Sequence, residues 1–187
     1  MKTILIVGGT GFIGYHLIKS CKKNFNVISI STKKPKKDRL IKGIKYFYVD
    51  ISKKKQLNKI RNLQIDYVVN LGGYVDHSNK VKTFSSHFIG VKNLFYFFKN
   101  KNIQKFVRIG SSAEYGRLRS PQIEKSKCNP QLIYGQAKFQ GTVFLKNQFK
   151  KFNFPVTILR LYQAYGPNQD INRFIPIVID ACKKGKK

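Results

Sequence analysis

Short runs of apolar, often β-branched residues alternate along the chain with stretches in which apolar residues recur every three or four positions. The first run, Ile4 to Val7, leads directly into a glycine-rich turn. Continuous apolar runs are typical of buried parallel strands, and the longer spacing is typical of amphipathic helices. The alternation therefore predicts an α/β fold with a doubly wound parallel sheet. The predicted strands are 3–7, 26–30, 45–49, 67–71, 105–109 and 156–161.

Helical patterns fill the segments between the predicted strands. They indicate helices near residues 11–22, 53–61 and 133–151, and a further helical pattern continues from Phe174. A longer central helix is predicted before the fifth strand, with its apolar residues on one buried face. These residues are Val81, Phe84, Phe88, Val91, Phe95 and Phe98.

Three glycines spaced three apart follow the first strand: Gly8, Gly11 and Gly14. Between a strand and a helix, such glycines permit a tight turn, a close approach of the backbone to a pyrophosphate, and close helix–strand packing. The N–H groups and the positive dipole end of the helix then face the phosphates. The sequence therefore predicts a dinucleotide-binding turn here, with an ordinary turn that binds no ligand as the alternative.

Two further segments carry residues suited to proton transfer. Tyr134 and Lys138 are four apart in a predicted helix and so share one of its faces. A free tyrosine titrates at about pH 10, and a neighbouring ammonium lowers its pKa. Ser111 and Ser112 follow the fifth predicted strand, where ligands bind in parallel sheets. Each signal alone also fits a surface pair or a turn, but their order along the chain favours one site.

The chain is strongly basic, since 37 Lys and Arg against 8 Asp and Glu give its 187 residues a formal net charge of +29. Because the lysines are scattered, we interpret them as solvated surface charge that attracts phosphorylated ligands. Binding to nucleic acid is the alternative. The three cysteines lie far apart and indicate neither disulfides nor a metal site. We expect a cytoplasmic protein without a membrane segment.

Three segments together resemble the NAD-dependent epimerase/dehydratase family: GGTGFIG (8–14), SSAEYG (111–116) and YGQAK (134–138). These extended short-chain dehydrogenase/reductases act on nucleotide sugars, and the resemblance covers essentially the whole chain. It implies a Rossmann dinucleotide-binding domain over residues 1–170 and, over 171–187, the start of a substrate lobe that is largely absent. It also implies a homodimer that pairs through the central helix and the helix bearing the tyrosine.

The resemblance implies a role for each matching residue. Tyr134 is the expected acid and base at a sugar hydroxyl, Lys138 holds the ribose of the coenzyme, and Ser111 orients the substrate oxygen. Ser112 and Gln163 are expected substrate contacts, and no metal ligands are expected. The expected coenzyme-binding residues are Gly8, Gly11, Phe12, Ile13, Gly14, Ser31, Thr32, Lys33, Asp50, Ile51, Leu71, Gly72, Tyr134 and Lys138.

Departures from the family pattern narrow the expected reaction. Dehydratases of the family place two acids directly after the catalytic Ser or Thr, whereas Ser112 and Ala113 follow Ser111 here. An NAD(P)-dependent nucleotide-sugar epimerase or keto-sugar reductase is therefore predicted, with a non-catalytic cofactor sensor as a further alternative. The second strand leads into Thr32 and Lys33 without the acid that NAD-preferring members carry, so NADP is predicted over NAD.

Overall fold

Six parallel strands form one sheet in the computed structural model, which describes residues 1–76 and 78–185. Their order in the sheet is β3-β2-β1-β4-β5-β6, and each neighbouring pair is parallel. This order confirms the predicted doubly wound Rossmann fold. The strands are β1 (Thr3–Val7), β2 (Asn26–Ser31), β3 (Lys45–Tyr48), β4 (Tyr67–Asn70), β5 (Lys105–Ser111) and β6 (Val156–Leu161).

Helical segments connect and follow the strands. The predicted helix at 53–61 is a 3-10 helix, Lys54–Ile60, and shorter 3-10 helices form at Lys37–Arg39 and Ser112–Glu114. A π-helix, Ser85–Ile89, lies within the predicted central helix. The α-helices of the described residues are α1 (Phe12–Cys21), α2 (Lys80–Phe84), α3 (Gly90–Phe98), α4 (Ile133–Phe152) and α5 (Phe174–Lys183).

The central helix differs from its prediction in the face that it buries. Val91, Phe95 and Phe98 are buried as expected, whereas the side chain of Val81 is 75% exposed. The π-helix between α2 and α3 has a wider repeat than an α-helix, so apolar positions before and after it no longer share one face. The prediction that Val81 belongs to the buried face is wrong for this reason.

Apolar cores cover both faces of the sheet. Successive residues of β1 point to opposite faces, so Leu5 and Val7 enter one core cluster while Ile4 and Ile6 enter the other. Because both faces of β1 are covered by apolar side chains, its sequence is continuously apolar.

The strand order reverses between β1 and β4, because β2 and β3 lie on one side of β1 while β4 to β6 lie on the other. In such sheets, ligands bind beyond the carboxyl ends of the strands at this reversal. β5 runs two residues further than its predicted end at Ile109 and so finishes at Ser111. The fold thus places this serine on the ligand-binding edge.

Candidate functional site

The glycine turn lies at the reversal, against the chain that leaves β4. Gly8 has a φ of +82°, and its N–H donates to the carbonyl of Ile30 in β2 at 2.8 Å. A Cβ on Gly8 would lie 3.0 Å from backbone atoms of both Leu71 and Gly72. Both the positive φ and the close approach require glycine at this position.

The start of α1 has the form of an anion site. A Cβ on Gly14 would collide with the carbonyl oxygen of Gly8, so the helix packs directly on the turn. Gly11 is the exposed N-cap residue, no side chain caps the helix, and its first turn, from Phe12 and Ile13 onward, contains no acid. The N–H groups and dipole of this helix therefore suit a pyrophosphate.

The end of β2 lies beside this turn. The Ser31 hydroxyl accepts a hydrogen bond from the Thr10 N–H at 3.3 Å, which ties the strand end to the glycine turn. Thr32 and Lys33, which follow, are exposed. The three predicted residues thus leave a hydroxyl and an amine accessible at the ligand-binding edge.

The segment after β3 is held from several sides. Asp50 Oδ1 accepts hydrogen bonds from the Ser52 N–H at 2.9 Å and from its hydroxyl at 2.7 Å, so this carboxylate shapes the turn itself. The amide of Asn93 in α3 donates to the carbonyls of Ile51 and Ser52 at 2.8 and 3.0 Å. The side chain of Ile51 is buried against Gly90, where a Cβ would leave it too little space.

The structure brings three of the predicted residues together. Ser111 ends β5, while Tyr134 and Lys138 lie in the first turns of α4. The Lys138 Nζ lies 5.7 Å from the centre of the Tyr134 ring and donates to the carbonyl of Ile109 at 2.9 Å. The Ser111 hydroxyl lies close enough to the Tyr134 phenol to lower its pKa through hydrogen bonding. We call these residues the Ser111–Tyr134–Lys138 set.

His87 of the π-helix packs against the ring of Tyr134. Its buried ring meets the Tyr134 ring edge to face, with centroids 5.0 Å apart, and its Nε2 lies 3.1 Å from the carbonyl oxygen of Tyr74. A Cβ on Gly73 would collide with the His87 ring. The chain after β4 therefore packs against His87 only because residue 73 is glycine.

Burial changes the proton chemistry of the set. It raises the pKa of Tyr134, against the lowering effects of the Ser111 hydrogen bond and of the Arg108 and Arg173 charges. Burial and the Arg108 charge lower the pKa of Lys138 to about 7. The sequence predicts that a Lys138 ammonium lowers the tyrosine pKa, whereas the structure holds an amine that itself loses its proton near neutral pH.

The two further predicted substrate contacts, Ser112 and Gln163, follow β5 and β6. Ser112 begins the 3-10 helix after β5 and is partly buried, whereas Gln163 lies beyond β6 and is exposed. Within residues 1–76 and 78–185, no three His, Cys, Asp or Glu side chains cluster as a metal site would need. None of the helices that the structure describes is both long and apolar enough to cross a bilayer.

Sequence reasoning missed a buried polar network directly beneath the set. We call it the Arg108 network: Arg108 of β5, Glu114, Thr142 of α4 and Arg160 of β6. One sequence signal of the network is Arg108 itself, which shares a face of β5 with the buried Phe106. In a chain with so many basic residues, that signal does not stand out.

Comparison with known proteins identifies the family to which the chain belongs. A model of the NAD dependent epimerase/dehydratase family matches residues 4–187. A dTDP-D-glucose 4,6-dehydratase from Dictyostelium discoideum is 28% identical over the whole chain, which spans 49% of that protein. A putative UDP-glucose 4-epimerase from Methanocaldococcus jannaschii is 27% identical, with 89% of this chain and 57% of the relative covered. The chain therefore spans about half the length of these curated relatives.

Solved structures show the same fold. The crystal structure of UDP-glucuronic acid 4-epimerase from Bacillus cereus in complex with NAD matches with a TM-score of 0.85 and 24% identity. The match covers 98% of this chain and 64% of that one. At this identity the likeness establishes the architecture, and the chemistry rests on the family match and the site.

Proposed function

Because this chain belongs to the NAD dependent epimerase/dehydratase family, we propose that it acts on nucleotide sugars as an NAD(P)-dependent epimerase or keto-sugar reductase. The main support is the Ser111–Tyr134–Lys138 set, which lies at the same edge of the sheet as the glycine turn. A dinucleotide on that turn extends along the edge towards the carboxyl end of β5. The Ser111–Tyr134–Lys138 set then lies next to the nicotinamide, which is the reactive end of the dinucleotide.

Each residue of the set has a part in this proposal. Tyr134 takes the proton of a sugar hydroxyl in the oxidative direction and returns a proton in the reductive direction. Ser111, whose hydroxyl lies close to Tyr134, holds the sugar oxygen beside the phenol. Lys138 binds the ribose of the coenzyme through its amine. When bound, the nicotinamide coenzyme supplies the hydride chemistry at the sugar carbon.

The surroundings of Ser111 favour an epimerase or reductase over a dehydratase. The next two residues are Ser112 and Ala113, neither of which is an acid. Glu114 does not take the place of the missing acids, because its side chain is fully buried. Both of its oxygens accept hydrogen bonds within the protein. An elimination would therefore lack the acid that it needs at this site.

The domain limits are part of the proposal. Residues 1–170 form the Rossmann domain, and 171–187 begin the substrate lobe. In α5, Phe174, Ile177 and Ile179 are 68%, 52% and 50% exposed, and the helix contains no buried residue. An apolar helix outside the Rossmann core supports a boundary just before it.

A preference for NADP is supported by the end of β2. Thr32 and Lys33 are exposed there, and no acid follows the strand to bind the ribose hydroxyls. A 2′-phosphate meets a hydroxyl donor and a cation at this place, whereas NAD lacks its usual carboxylate partner. Titration of the full chain with each oxidised coenzyme tests the preference, and tighter binding of NAD would contradict it.

A homodimer is supported by the outer faces of α3 and α4. Tyr96, Val143, Phe149 and Phe152 are 48%, 41%, 52% and 65% exposed. Val143 lines an apolar groove with Phe88 and Phe144, and apolar surfaces of this kind mediate association. Sedimentation analysis tests this assignment, and a chain that remains a monomer at micromolar concentrations would rule it out.

Gly11→Ala is expected to weaken coenzyme binding by about 10-fold to 100-fold while leaving the fold intact. The φ of −77° at Gly11 suits alanine, and the nearest atom to its Cβ, the Gly8 oxygen, lies 3.3 Å away. The added methyl group on this exposed turn keeps the pyrophosphate away from the N–H groups of α1. Calorimetric titration with NADP and NAD, together with thermal unfolding, measures both effects.

Gly43→Ala is the matched control for this variant. Gly43 has a φ of +84° with open space around it, so alanine there strains the backbone without touching the turn. We expect lower stability and unchanged coenzyme affinity, the reverse of the Gly11→Ala result. Equal affinities for the wild type and Gly11→Ala would remove the glycine turn from the proposed site.

The reaction itself is tested with the full chain in two assays, one with an oxidised coenzyme and UDP- or dTDP-linked hexoses, the other with a reduced coenzyme and the corresponding keto sugars. An epimerase interconverts two sugars of equal mass, whereas a keto-sugar reductase consumes reduced coenzyme in proportion to product. Chromatography and nuclear magnetic resonance of the sugar distinguish the two. A chain that binds coenzyme tightly but changes none of these sugars would contradict the proposed activity and leave a cofactor sensor.

A further inference from the structure

The Arg108 network is a charged group buried beneath the reacting set, and no step of the proposed reaction uses it. Arg108 is 1% exposed, Glu114 0% and Thr142 2%. Burying such groups costs several kcal/mol unless hydrogen bonds and opposite charges compensate. Because burying these charges is costly, a network of them directly beneath a candidate active site is expected to position the residues above it.

Arg108 joins β5 to the helix that carries the tyrosine and the lysine. Its guanidinium donates to the Thr142 hydroxyl at 2.7 Å and to the Lys138 carbonyl at 2.8 Å. It also reaches the carbonyl of His87 in the π-helix at 3.4 Å. Space for the guanidinium comes from Gly141, where a Cβ would collide with it. Arg108 therefore sets the height of α4 above the strand at the lysine itself.

Glu114 joins the same helix to the serine. Its Oε1 accepts a hydrogen bond from the Ser111 N–H at 3.0 Å. Its Oε2 accepts from the Thr142 hydroxyl at 2.8 Å and from the Arg160 Nε at 2.9 Å. At Gly110, a Cβ would lie 2.5 Å from Oε1, so the strand leaves room for this carboxylate. Glu114 thus fixes the backbone of Ser111 relative to α4.

The two charges act on Lys138 with opposite signs. The Arg108 charge lowers the pKa of Lys138, and the Glu114 charge raises it. Burial is the largest cause of the lowering, and the amine lies against the carbonyl of Ile109. The charged groups that act on the lysine are Arg108 on β5 and Glu114 on the 3-10 helix, and the Tyr134 ring of α4 lies beside its amine. Beyond them lie His87 of the π-helix, which packs on Tyr134, and Arg160 of β6, which bonds Glu114.

We propose that Arg108 and Glu114 are positioning residues: Arg108 holds Lys138 through the carbonyl of that residue, and Glu114 holds Ser111 through its N–H. The catalytic consequence rests on the proposed function, but the effect on the lysine does not. Neither residue touches substrate or coenzyme, because both are buried behind the set. Their effect reaches the reaction through Ser111 and Lys138.

The proton equilibrium of Lys138 tests the proposal directly. The full chain is labelled with carbon-13 at the ε-carbon of lysine, and the Lys138 signal is identified by its loss in Lys138→Met. We expect a titration midpoint near pH 7 for the wild type. Arg108→Gln is expected to raise the midpoint by about one pH unit, and Glu114→Gln to lower it by about one pH unit.

The opposite directions separate an electrostatic role from a purely structural one. General loosening of the site would let water reach the lysine and raise the midpoint in both variants. Arg108→Lys keeps the charge without the planar set of donors, so its midpoint is expected to stay near the wild-type value. If Arg108→Gln does not fold, Glu114→Gln decides alone, since a midpoint that is unchanged or raised in this isosteric variant would overturn the proposal.

Failure of this inference differs visibly from failure of the proposed function, because the titration needs neither coenzyme nor sugar. Opposite shifts in a chain without turnover would uphold the Arg108 network and contradict only the activity. In a chain with turnover, the pH profile of kcat is expected to move in the same two directions, with coenzyme affinity within about threefold of wild type. Turnover with unmoved titration and pH profiles would overturn the positioning role.

Discussion

Glu114→Ala is expected to lower the free energy of unfolding by about 3–5 kcal/mol. The carboxylate is fully buried and accepts hydrogen bonds from Ser111, Thr142 and Arg160. Burial lowers the pKa of Arg108 only to about 10, so that guanidinium stays charged at neutral pH. Removing Glu114 leaves this charge buried without a counter-charge, which is strongly destabilising.

Urea unfolding at neutral pH measures this effect against a matched carboxylate on the surface. Asp180 and Lys184 form an exposed pair one helical turn apart, with a 2.7 Å distance between Oδ2 and Nζ. Asp180→Ala is expected to cost less than about 0.5 kcal/mol, since solvent screens such pairs. If Glu114→Ala cost as little as Asp180→Ala, the buried charges would have to find other partners.

A double variant shows where the cost comes from. Arg108→Met in the Glu114→Ala background removes the uncompensated charge, and the flexible methionine fills the space next to Gly141. We expect this double variant to be more stable than Glu114→Ala alone. Arg160 remains, but its side chain is 12% exposed and can turn towards water. Equal stability of the two variants would mean that the lost hydrogen bonds, and not the charge, account for the loss.

Much of the fold follows from the sequence because buried strands leave a strong signal. Each of the six strands lies where an apolar run predicts it, and the glycine turn follows β1 as expected. A strand covered on both faces consists mostly of apolar residues, so its run is hard to mistake. The central helix is harder, because the π-helix at Ser85–Ile89 changes the helical repeat without a local sequence signal, and this moved Val81 to the surface.

The candidate site likewise has one part that the sequence predicts and one part that it does not. The Ser111–Tyr134–Lys138 set is recognisable because its residue types and spacings repeat a known pattern. The Arg108 network is not, because its members come from β5, the 3-10 helix, α4 and β6, and meet only when the sheet and helices pack. Its clearest trace is a pair of glycines, Gly110 and Gly141, that leave space for the buried charges. These glycines indicate a buried charged network only once the structure shows which side chains pack against them.

Tyr134→Phe is expected to reduce turnover of a nucleotide sugar by at least about 100-fold while leaving coenzyme affinity within about threefold of wild type. The substitution removes one hydroxyl and keeps the ring that packs edge to face on His87. Proton transfer loses its donor and acceptor, whereas the glycine turn is untouched. Tyr67→Phe is the matched control, because its hydroxyl bonds Gln104 at the amino end of β4, the opposite edge of the sheet.

The pH dependence of the wild type supplies a second, independent measure of the same residue. Burial raises the pKa of Tyr134, so the phenol keeps its proton at neutral pH and the phenolate needed to oxidise the sugar becomes more abundant as pH rises. The rate of sugar oxidation in single-turnover experiments should therefore increase from neutral to alkaline pH, and Tyr134→Phe should lose this increase. Retention of both the rate and its slope in Tyr134→Phe would assign the proton transfer to another group.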